Sequence, residues 1–215
     1  MRIRRSVLVL ATAALATGAL LSGCGSSGSG AVSGPAASAE ATAGGSASTG
    51  NGAPQPAETN PVGDIPDSTA FVAFRPQPGQ YEIKVPEGWA RSVDGNAYVF
   101  TDKLNSVRME TVPAATAPTV DSARATEVPP IQAATRRFSL QNVSMVQRKA
   151  GGAVLITYKA DSPVDPVTNK VVPDAVERYE FWHAGTEVVV TLSGPVNADN
   201  VDPWRTVTDS FRWLG

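Results

Sequence analysis

The chain has 215 residues with 18 basic and 20 acidic side chains and one cysteine, and its pI is about 5.4. A net charge of −2 gives no long-range attraction to phosphate, which excludes nucleic acid as a partner. The single thiol excludes a disulfide within the chain and a cysteine zinc site.

The first 23 residues have the zones of a secretory signal peptide. Arg2, Arg4 and Arg5 form a positive start, and residues 6–20 are an apolar run. That run is shorter than the ~20 residues that a membrane-spanning helix needs. We therefore predict that residues 1–23 are an export signal. Its removal takes three arginines from the 18 basic residues, which leaves 15 against 20 acidic ones and a net charge of −5.

The motif Leu21-Ser22-Gly23-Cys24 ends this segment and matches the bacterial lipoprotein pattern of a branched apolar residue, two small residues and cysteine. A thiol is needed for thioether attachment of diacylglycerol, and the small residues give the signal peptidase access to the backbone. The alternative is an ordinary secretory signal in which Cys24 has no role. We predict that Cys24 is acylated, palmitate included, and anchors the protein to the extracytoplasmic face of the cell membrane. Each buried methylene of the acyl chains contributes roughly 0.8 kcal/mol.

Residues 24–65 are rich in Gly, Ser, Ala, Thr and Pro and contain no basic and no aromatic residue. Such a segment cannot bury enough apolar surface to offset the entropy lost on ordering. We predict a disordered tether with an r.m.s. reach of roughly 35–38 Å for ~40 residues. It carries one globular domain at residues 66–215.

Alternating apolar residues predict that the domain is rich in strands. Residues 81–85 place Tyr81, Ile83 and Val85 on one face and charges on the other. Four-residue loops are predicted to join two of the hairpins, at residues 102–105 and 149–152. The other predicted strands are residues 70–74, 97–101, 106–112, 141–148, 153–159, 175–183 and 186–193.

The two-residue loop Ala184-Gly185 predicts the clearest hairpin of the chain. Pairing outward from it places Trp182 opposite Glu187, and the pairs beyond follow from the strand period of two. Phe181 then lies opposite Val188, and Tyr179 opposite Val190. One face carries Tyr179, Phe181, Val188, Val190 and Leu192, and the polar face carries Arg178, Glu180, Trp182, Glu187 and Thr191.

A change of period between residues 113 and 140 predicts helix. Thr119 can cap a helix over residues 120–128, which Pro129 and Pro130 interrupt, and Pro130 can start a second short helix. We predict two short helices or one broken one.

Residues 197–213 predict a closing helix, with Asp199 or Asp202 as its cap and Pro203 in its first turn. The predicted fold class is α+β, an antiparallel sheet of about six to seven strands flanked by short helices. The apolar stripe of the closing helix is Val201, Trp204, Val207 and Phe211.

The pattern Tyr81-x-Ile83-x-Val85-Pro86-x-Gly88-Trp89 resembles the start of PsbP-like domains, and the closing helix with Ser210-Phe211-Arg212 resembles their end. The order of signal, tether and domain is similar to that of small actinobacterial lipoproteins. This resemblance implies an antiparallel sheet flanked by helices and an accessory or scaffold role. It transfers no catalytic residue to the chain.

Few residues are candidates for catalysis. His183 is the single histidine and lies beside the Ala184-Gly185 turn, where it is either a general base or an exposed turn residue. The chain has no nucleophile elbow, phosphate loop or dinucleotide fingerprint. We therefore predict no catalytic residue, no cofactor and no metal site.

Two features leave alternatives open. Asp161, Asp165 and Asp174 lie in a long loop, where they are either calcium ligands or ordinary turn formers. Trp182, on the polar face of its hairpin, is either covered by a flanking helix or part of a partner-binding patch.

Three functions are compatible with the sequence. The first is a lipid-anchored, non-enzymatic binding or accessory module for a cell-envelope protein partner. The second is a carrier of a small apolar or lipid-like ligand between sheet and helices, in a cavity lined by Phe181, Val190 and Phe211. The third is a carboxylate-based hydrolase, which needs two acids roughly 5–9.5 Å apart in a cleft. No acidic pair is predicted to converge in a pocket.

Replacing Cys24 with alanine should abolish acylation, because the thioether cannot form without the thiol. Metabolic labelling with radioactive palmitate and partitioning into a detergent phase check this. Ser29→Ala, five residues into the tether, is the control and should label like the natural chain. Retained labelling in Cys24→Ala contradicts the prediction.

Overall fold

The computed structural model describes residues 63–165 and 168–215. The predicted signal peptide, Cys24 and the predicted tether up to residue 62 lie outside the described residues. Within the described ranges, no helix combines the length and the hydropathy needed to span a bilayer.

The described residues form an α+β fold, which confirms the predicted class. The helical segments are α1 (Val120–Ser122), a π-helical turn (Ala123–Glu127), α2 (Val128–Ala134) and α3 (Val201–Ser210). The strands are β1 (Phe71–Phe74), β2 (Tyr81–Pro86), β3 (Ala90–Asp94), β4 (Ala97–Asp102), β5 (Asn105–Pro113), β6 (Ser139–Arg148), β7 (Gly151–Asp161), β8 (Pro173–His183), β9 (Thr186–Pro195) and β10 (Arg212–Trp213).

The strands form two antiparallel sheets. The larger has the order β3-β4-β5-β9-β8-β7-β6, and the smaller has the order β1-β2-β10. One face of the large sheet packs against the small sheet and α3 around buried residues such as Phe181, Phe211 and Ile83. The other face packs against the segment from α1 to α2, but only over β6, β7 and β8, where Val154 and Ile156 are fully buried.

The predicted register of the β8–β9 hairpin is confirmed. Trp182 pairs with Glu187, Phe181 with Val188, and Tyr179 with Val190. The turn residues Ala184 and Gly185 have φ values of 46° and 84°, the left-handed geometry that a two-residue hairpin loop requires.

Some strands and turns differ from the prediction. β3 and β10 were not predicted; every residue of β3 is exposed, so its sequence carries no apolar alternation. The four-residue loops predicted at 102–105 and 149–152 are two-residue turns, because Asp102 pairs with Asn105 and Arg148 with Gly151.

The first helical region starts where predicted. The Thr119 hydroxyl accepts a hydrogen bond from the Ser122 backbone N–H at 3.1 Å, which confirms the cap. The region has the second of the two predicted forms, one broken helix, although the irregular part lies at residues 123–127 and not at Pro129 and Pro130. The π-helical turn leads directly into α2, and the prolines occupy the first turn of α2, where a missing N–H is tolerated.

The closing helix is shorter than predicted and has a different start. Asn200 occupies the cap position instead of Asp199 or Asp202, and its side chain makes no capping bond. That side chain instead accepts from the Ile65 N–H at 2.8 Å and donates to the Asn105 side chain at 2.9 Å. Val201 is 70% exposed and was wrongly assigned to the apolar stripe, whereas Trp204, Val207 and Phe211 are buried as predicted.

The last residues assigned to the tether belong to the domain core. Ile65 is 5% exposed, and the Gly63 carbonyl accepts hydrogen bonds from Asn105 and Asn200. Gly63 has a φ of 99°, and a Cβ there would lie 2.5 Å from Pro195 Cγ. Residues 63–65 therefore pack with the domain, although the sequence placed them in the tether.

Replacing Phe181 with alanine should lower the free energy of unfolding by roughly 3–5 kcal/mol. Its ring is 1% exposed and stacks on Phe211 at 4.3 Å, so the truncation leaves a cavity that neighbours cannot fill. Urea unfolding measures the change. Val93→Ala, at a residue 65% exposed, is the control and should shift the free energy by no more than about 0.5 kcal/mol. Equal losses in the two variants would contradict the described core.

Candidate functional site

The uncovered part of the second sheet face forms an open groove of about 650 Å³. Its floor comes from β4, β5 and β9, which the helical segment does not reach. Its wall comes from the connection between β7 and β8. The groove lining includes Val99, Thr101, Ser106, Arg108, Ser193, Val164, Val172 and Asp174.

A row of hydroxyl groups crosses the groove floor. Thr101 pairs with Ser106 across β4 and β5, and Ser106 pairs with Ser193 across β5 and β9. Cross-strand partners point to the same face of a sheet. The Ser106 and Ser193 oxygens are 2.7 Å apart, so each hydroxyl is hydrogen-bonded to the other.

The wall of the groove continues the β7–β8 hairpin beyond its strands. The Ser162 N–H donates to the Val172 carbonyl at 2.8 Å, and the Asp165 N–H donates to the Lys170 carbonyl at 2.9 Å. The Asp165 carboxylate also accepts from the Thr168 N–H at 2.6 Å and the Thr168 hydroxyl at 2.9 Å. These bonds hold Val164, which is 56% exposed, at the edge of the groove.

Asp174 is the most unusual side chain that lines the groove. It is 4% exposed, and its Oδ1 atom has no hydrogen-bond partner within the described residues. Burial raises the pKa of this carboxyl from its usual 3.8 to about 6. A buried carboxylate without a donor is costly, and such groups concentrate at binding and catalytic sites.

Three acidic residues are part of the groove lining, namely Asp94, Asp165 and Asp174. Asp94 has a side chain 79% exposed, and its Oδ2 lies 3.9 Å from Arg108 Nη2. Arg108 donates from Nη1 to Glu110 Oε2 at 2.5 Å, and this bond lowers the pKa of the Glu110 carboxyl.

The three loop acids considered as calcium ligands have separate environments. Asp161 accepts from Arg137 Nε at 2.6 Å, Asp165 bonds within its own loop, and Asp174 faces the groove. Within residues 63–165 and 168–215, no three His, Cys, Asp or Glu side chains gather as a metal would require.

A second buried charged cluster lies under the π-helical turn. Arg178 donates to Glu180 Oε1 at 3.1 Å and to Glu127 Oε2 at 3.0 Å. Glu180 is 1% exposed, and burial raises its pKa to about 7 although Arg178 acts in the opposite direction. The polar face of the β8–β9 hairpin is therefore largely buried at Arg178 and Glu180. Arg178, Glu127 and Glu180 do not line the groove.

The remaining candidates from the sequence lie apart from the groove. His183 is exposed at its turn, with its ring 5.5 Å from the ring of Trp213. Trp182 is half-buried and donates from Nε1 to the Ala114 carbonyl at 2.8 Å. The segment after β5, and not a flanking helix, contacts Trp182 through this bond.

The sequence marked Asp174 as a possible calcium ligand or turn former in a long loop, and did not predict its burial. No local pattern marks it, because its burial depends on β7, β9 and the wall of the groove. The sequence did contain one signal, the unusual length of the loop before it.

No family model and no curated protein matches the chain. It is similar to the solved structure of PsbP (CyanoP) from Synechocystis sp. PCC 6803, with 16% identity over 71% of this chain and 99% of that chain, at a TM-score of 0.47. It is also similar to LpqN of Mycobacterium tuberculosis, which is involved in cell envelope biogenesis (12% identity, 69% and 87% coverage, TM-score 0.36), and to the Ran-binding protein Mog1p of Saccharomyces cerevisiae (14% identity, 60% and 79% coverage, TM-score 0.42). These likenesses concern the fold alone, so the actinobacterial lipoprotein origin stays a prediction.

Replacing Asp174 with asparagine should change the pH dependence of stability. As the pH rises from about 4 to 6, the unfolded state of the natural chain loses the Asp174 proton while the folded state keeps it. The natural chain therefore loses up to about 1.4 kcal/mol per pH unit relative to the variant over this range. Chemical unfolding at each pH should show the advantage of Asp174→Asn increasing with pH.

Glu110→Gln is the control of opposite sign. The pKa of Glu110 is lowered in the folded state, so its contribution to stability is present above its usual pKa of 4.5 and disappears as the pH falls through the lower folded value. This variant should therefore be less stable than the natural chain near neutral pH and not in strong acid. The same trend in both variants would contradict the assigned environments.

Proposed function

We propose that this protein is a lipid-anchored, extracytoplasmic module of the cell envelope that binds a ligand in its groove and catalyses no reaction. The lipoprotein motif ending at Cys24 supports the location. The observation that supports binding is the buried, unpartnered carboxyl of Asp174 in an open groove of about 650 Å³. A groove of this volume suits a small molecule or a short segment of a partner protein.

The environments of the groove residues favour binding over hydrolysis. Two-carboxylate hydrolysis needs an acid and a second carboxylate in distinct roles. Asp174 could supply the acid, but Asp165 is held by Thr168 within its loop, and Asp94 is largely exposed beside Arg108.

The groove hydroxyls also lack an imidazole to activate them. Ser106 and Ser193 bond to each other. His183 lies nine residues beyond Asp174 on the same strand, a span of roughly 30 Å at about 3.3 Å per residue. Acyl transfer by a serine would need a base within hydrogen-bond reach of the hydroxyl.

One observation favours the carrier function, but it concerns the groove and not the predicted cavity between sheet and helices. Phe181, Val190 and Phe211 are at most 1% exposed and belong to one core cluster, so they pack against other side chains. The groove instead carries apolar side chains beside its polar floor. They are Val99, Leu104, Pro163, Val164 and Val172.

Filling the groove should abolish ligand binding without unfolding the domain. Thr101 is exposed on the groove floor, so Thr101→Trp adds a large side chain to the space without disturbing the core. Gln132→Trp, on the exposed surface of α2, is the matched control. Chemical cross-linking in intact membranes, followed by purification and mass spectrometry, compares both variants with the natural chain and with Cys24→Ala.

We expect the natural chain and Gln132→Trp to enrich the same envelope component, and Thr101→Trp to lose it. Cys24→Ala should lose it as well, because the domain is no longer held at the membrane. Enrichment that is unchanged in Thr101→Trp would reject the groove as the binding site. Enrichment that is unchanged in Cys24→Ala would reject the role of the anchor.

A further inference from the structure

We propose that the groove recognises a ligand with an ammonium group on a short apolar stem, and that the ammonium group donates to Asp174. This inference rests on the proposed function, because it identifies the chemical class of ligand for the same groove. It is carried by the position of Asp174 and by the arrangement of apolar and basic residues around the rest of the groove.

Asp174 Oδ1 can accept a hydrogen bond from a ligand. Asp174 lines the groove, and its buried Oδ1 has no donor within the described residues, so a ligand that reaches this atom supplies the missing hydrogen bond. An ammonium group supplies a donor and neutralises the carboxylate at once. Charge-assisted hydrogen bonds are about twice as strong as neutral ones, and the low local dielectric strengthens them further.

The other residues of the groove indicate which groups the rest of the ligand carries. Beyond Asp174, the groove presents Val99, Leu104 and Val172, which can contact methylene groups. Lys103 and Lys170 also line the groove, and both residues are exposed. An acidic group at the far end of the stem would meet them there, so a zwitterion should bind better than a simple amine.

The other charged residues of the groove do not compete with Asp174 for the ammonium group of the ligand. Arg108 is engaged by Glu110 at 2.5 Å and by Asp94 at 3.9 Å, so its charge is already balanced. Asp165 accepts two hydrogen bonds from Thr168. With Lys103 and Lys170, these residues complete the titratable groups of the lining, and Asp174 is the one with a buried oxygen that lacks a donor.

The pH dependence separates an ammonium ligand from a neutral acceptor. The carboxyl of Asp174, with a pKa of about 6, is protonated at pH 5 and ionised at pH 8. An alkylammonium group, with a pKa near that of lysine at about 10.4, stays charged throughout. Affinity for an ammonium ligand should therefore rise with pH by roughly tenfold over this range, whereas a carbonyl ligand would bind better at low pH.

Calorimetric titration of the full chain with hexylammonium, hexanol, hexanoate and 6-aminohexanoate tests the proposal. The four probes share a six-carbon chain and differ in their end groups. At pH 8, hexylammonium should bind roughly 10- to 100-fold more tightly than hexanol, and 6-aminohexanoate more tightly still. Asp174→Asn should remove the preference for the ammonium group. Asp102→Asn, at an exposed residue of β4 outside the groove lining, is the control and should keep that preference.

The outcomes distinguish this proposal from the proposed function. Equal affinity for hexanol and hexylammonium, no effect of Asp174→Asn, or tighter binding at pH 5 would overturn the ammonium assignment. If hexanol or hexanoate then binds and Thr101→Trp abolishes that binding, the groove remains the binding site. If none of the four probes binds, the ammonium assignment is rejected, and the cross-linking comparison decides separately whether the groove binds a partner.

Discussion

The pairing of β8 with β9 determines where the other parts of the domain can pack. The left-handed turn at Ala184 and Gly185 sets the register, and the register decides which side chains share a face. The two strands lie in the middle of the seven-stranded sheet, so layers can cover them on both sides. One layer buries aromatic rings. The other layer, the segment from α1 to α2, covers the polar face. Arg178 on this face bonds to Glu127 and Glu180, because buried charges need partners.

The groove exists because the second layer is narrow. A helix is about 10 Å across and adjacent strands are about 4.8 Å apart, so one helical segment covers roughly two strands. The segment from α1 to α2 packs on β6, β7 and β8, and leaves β4, β5 and β9 without a cover. Beyond that cover, the extension of the β7–β8 hairpin, tied by Ser162 and Val172, forms a wall.

Two buried carboxyls on the same face illustrate how environment separates a structural role from a binding role. Burial raises the pKa of Glu180 and of Asp174. Glu180 is 1% exposed and accepts from Arg178, which also donates to Glu127 and so links the helical segment to the sheet. Each of the two carboxyls keeps one oxygen without a donor within the described residues, Glu180 Oε2 and Asp174 Oδ1, but Asp174 lines an open groove and Glu180 does not. Both groups are buried carboxyls, and they differ in whether an open groove lies beside them.

The sequence by itself determined the features that depend on neighbouring residues. The motif around Cys24, the Thr119 cap and the β8–β9 register follow from short-range patterns, since a strand alternates with a period of two and a two-residue turn leaves little freedom of pairing. Tertiary structure decided the rest. The cap position at Asn200, the paired edge strand β3 and the burial of Asp174 depend on segments far away in the chain. No periodicity near these residues records which segment will pack against them, and for that reason the candidate site became visible only in the folded domain.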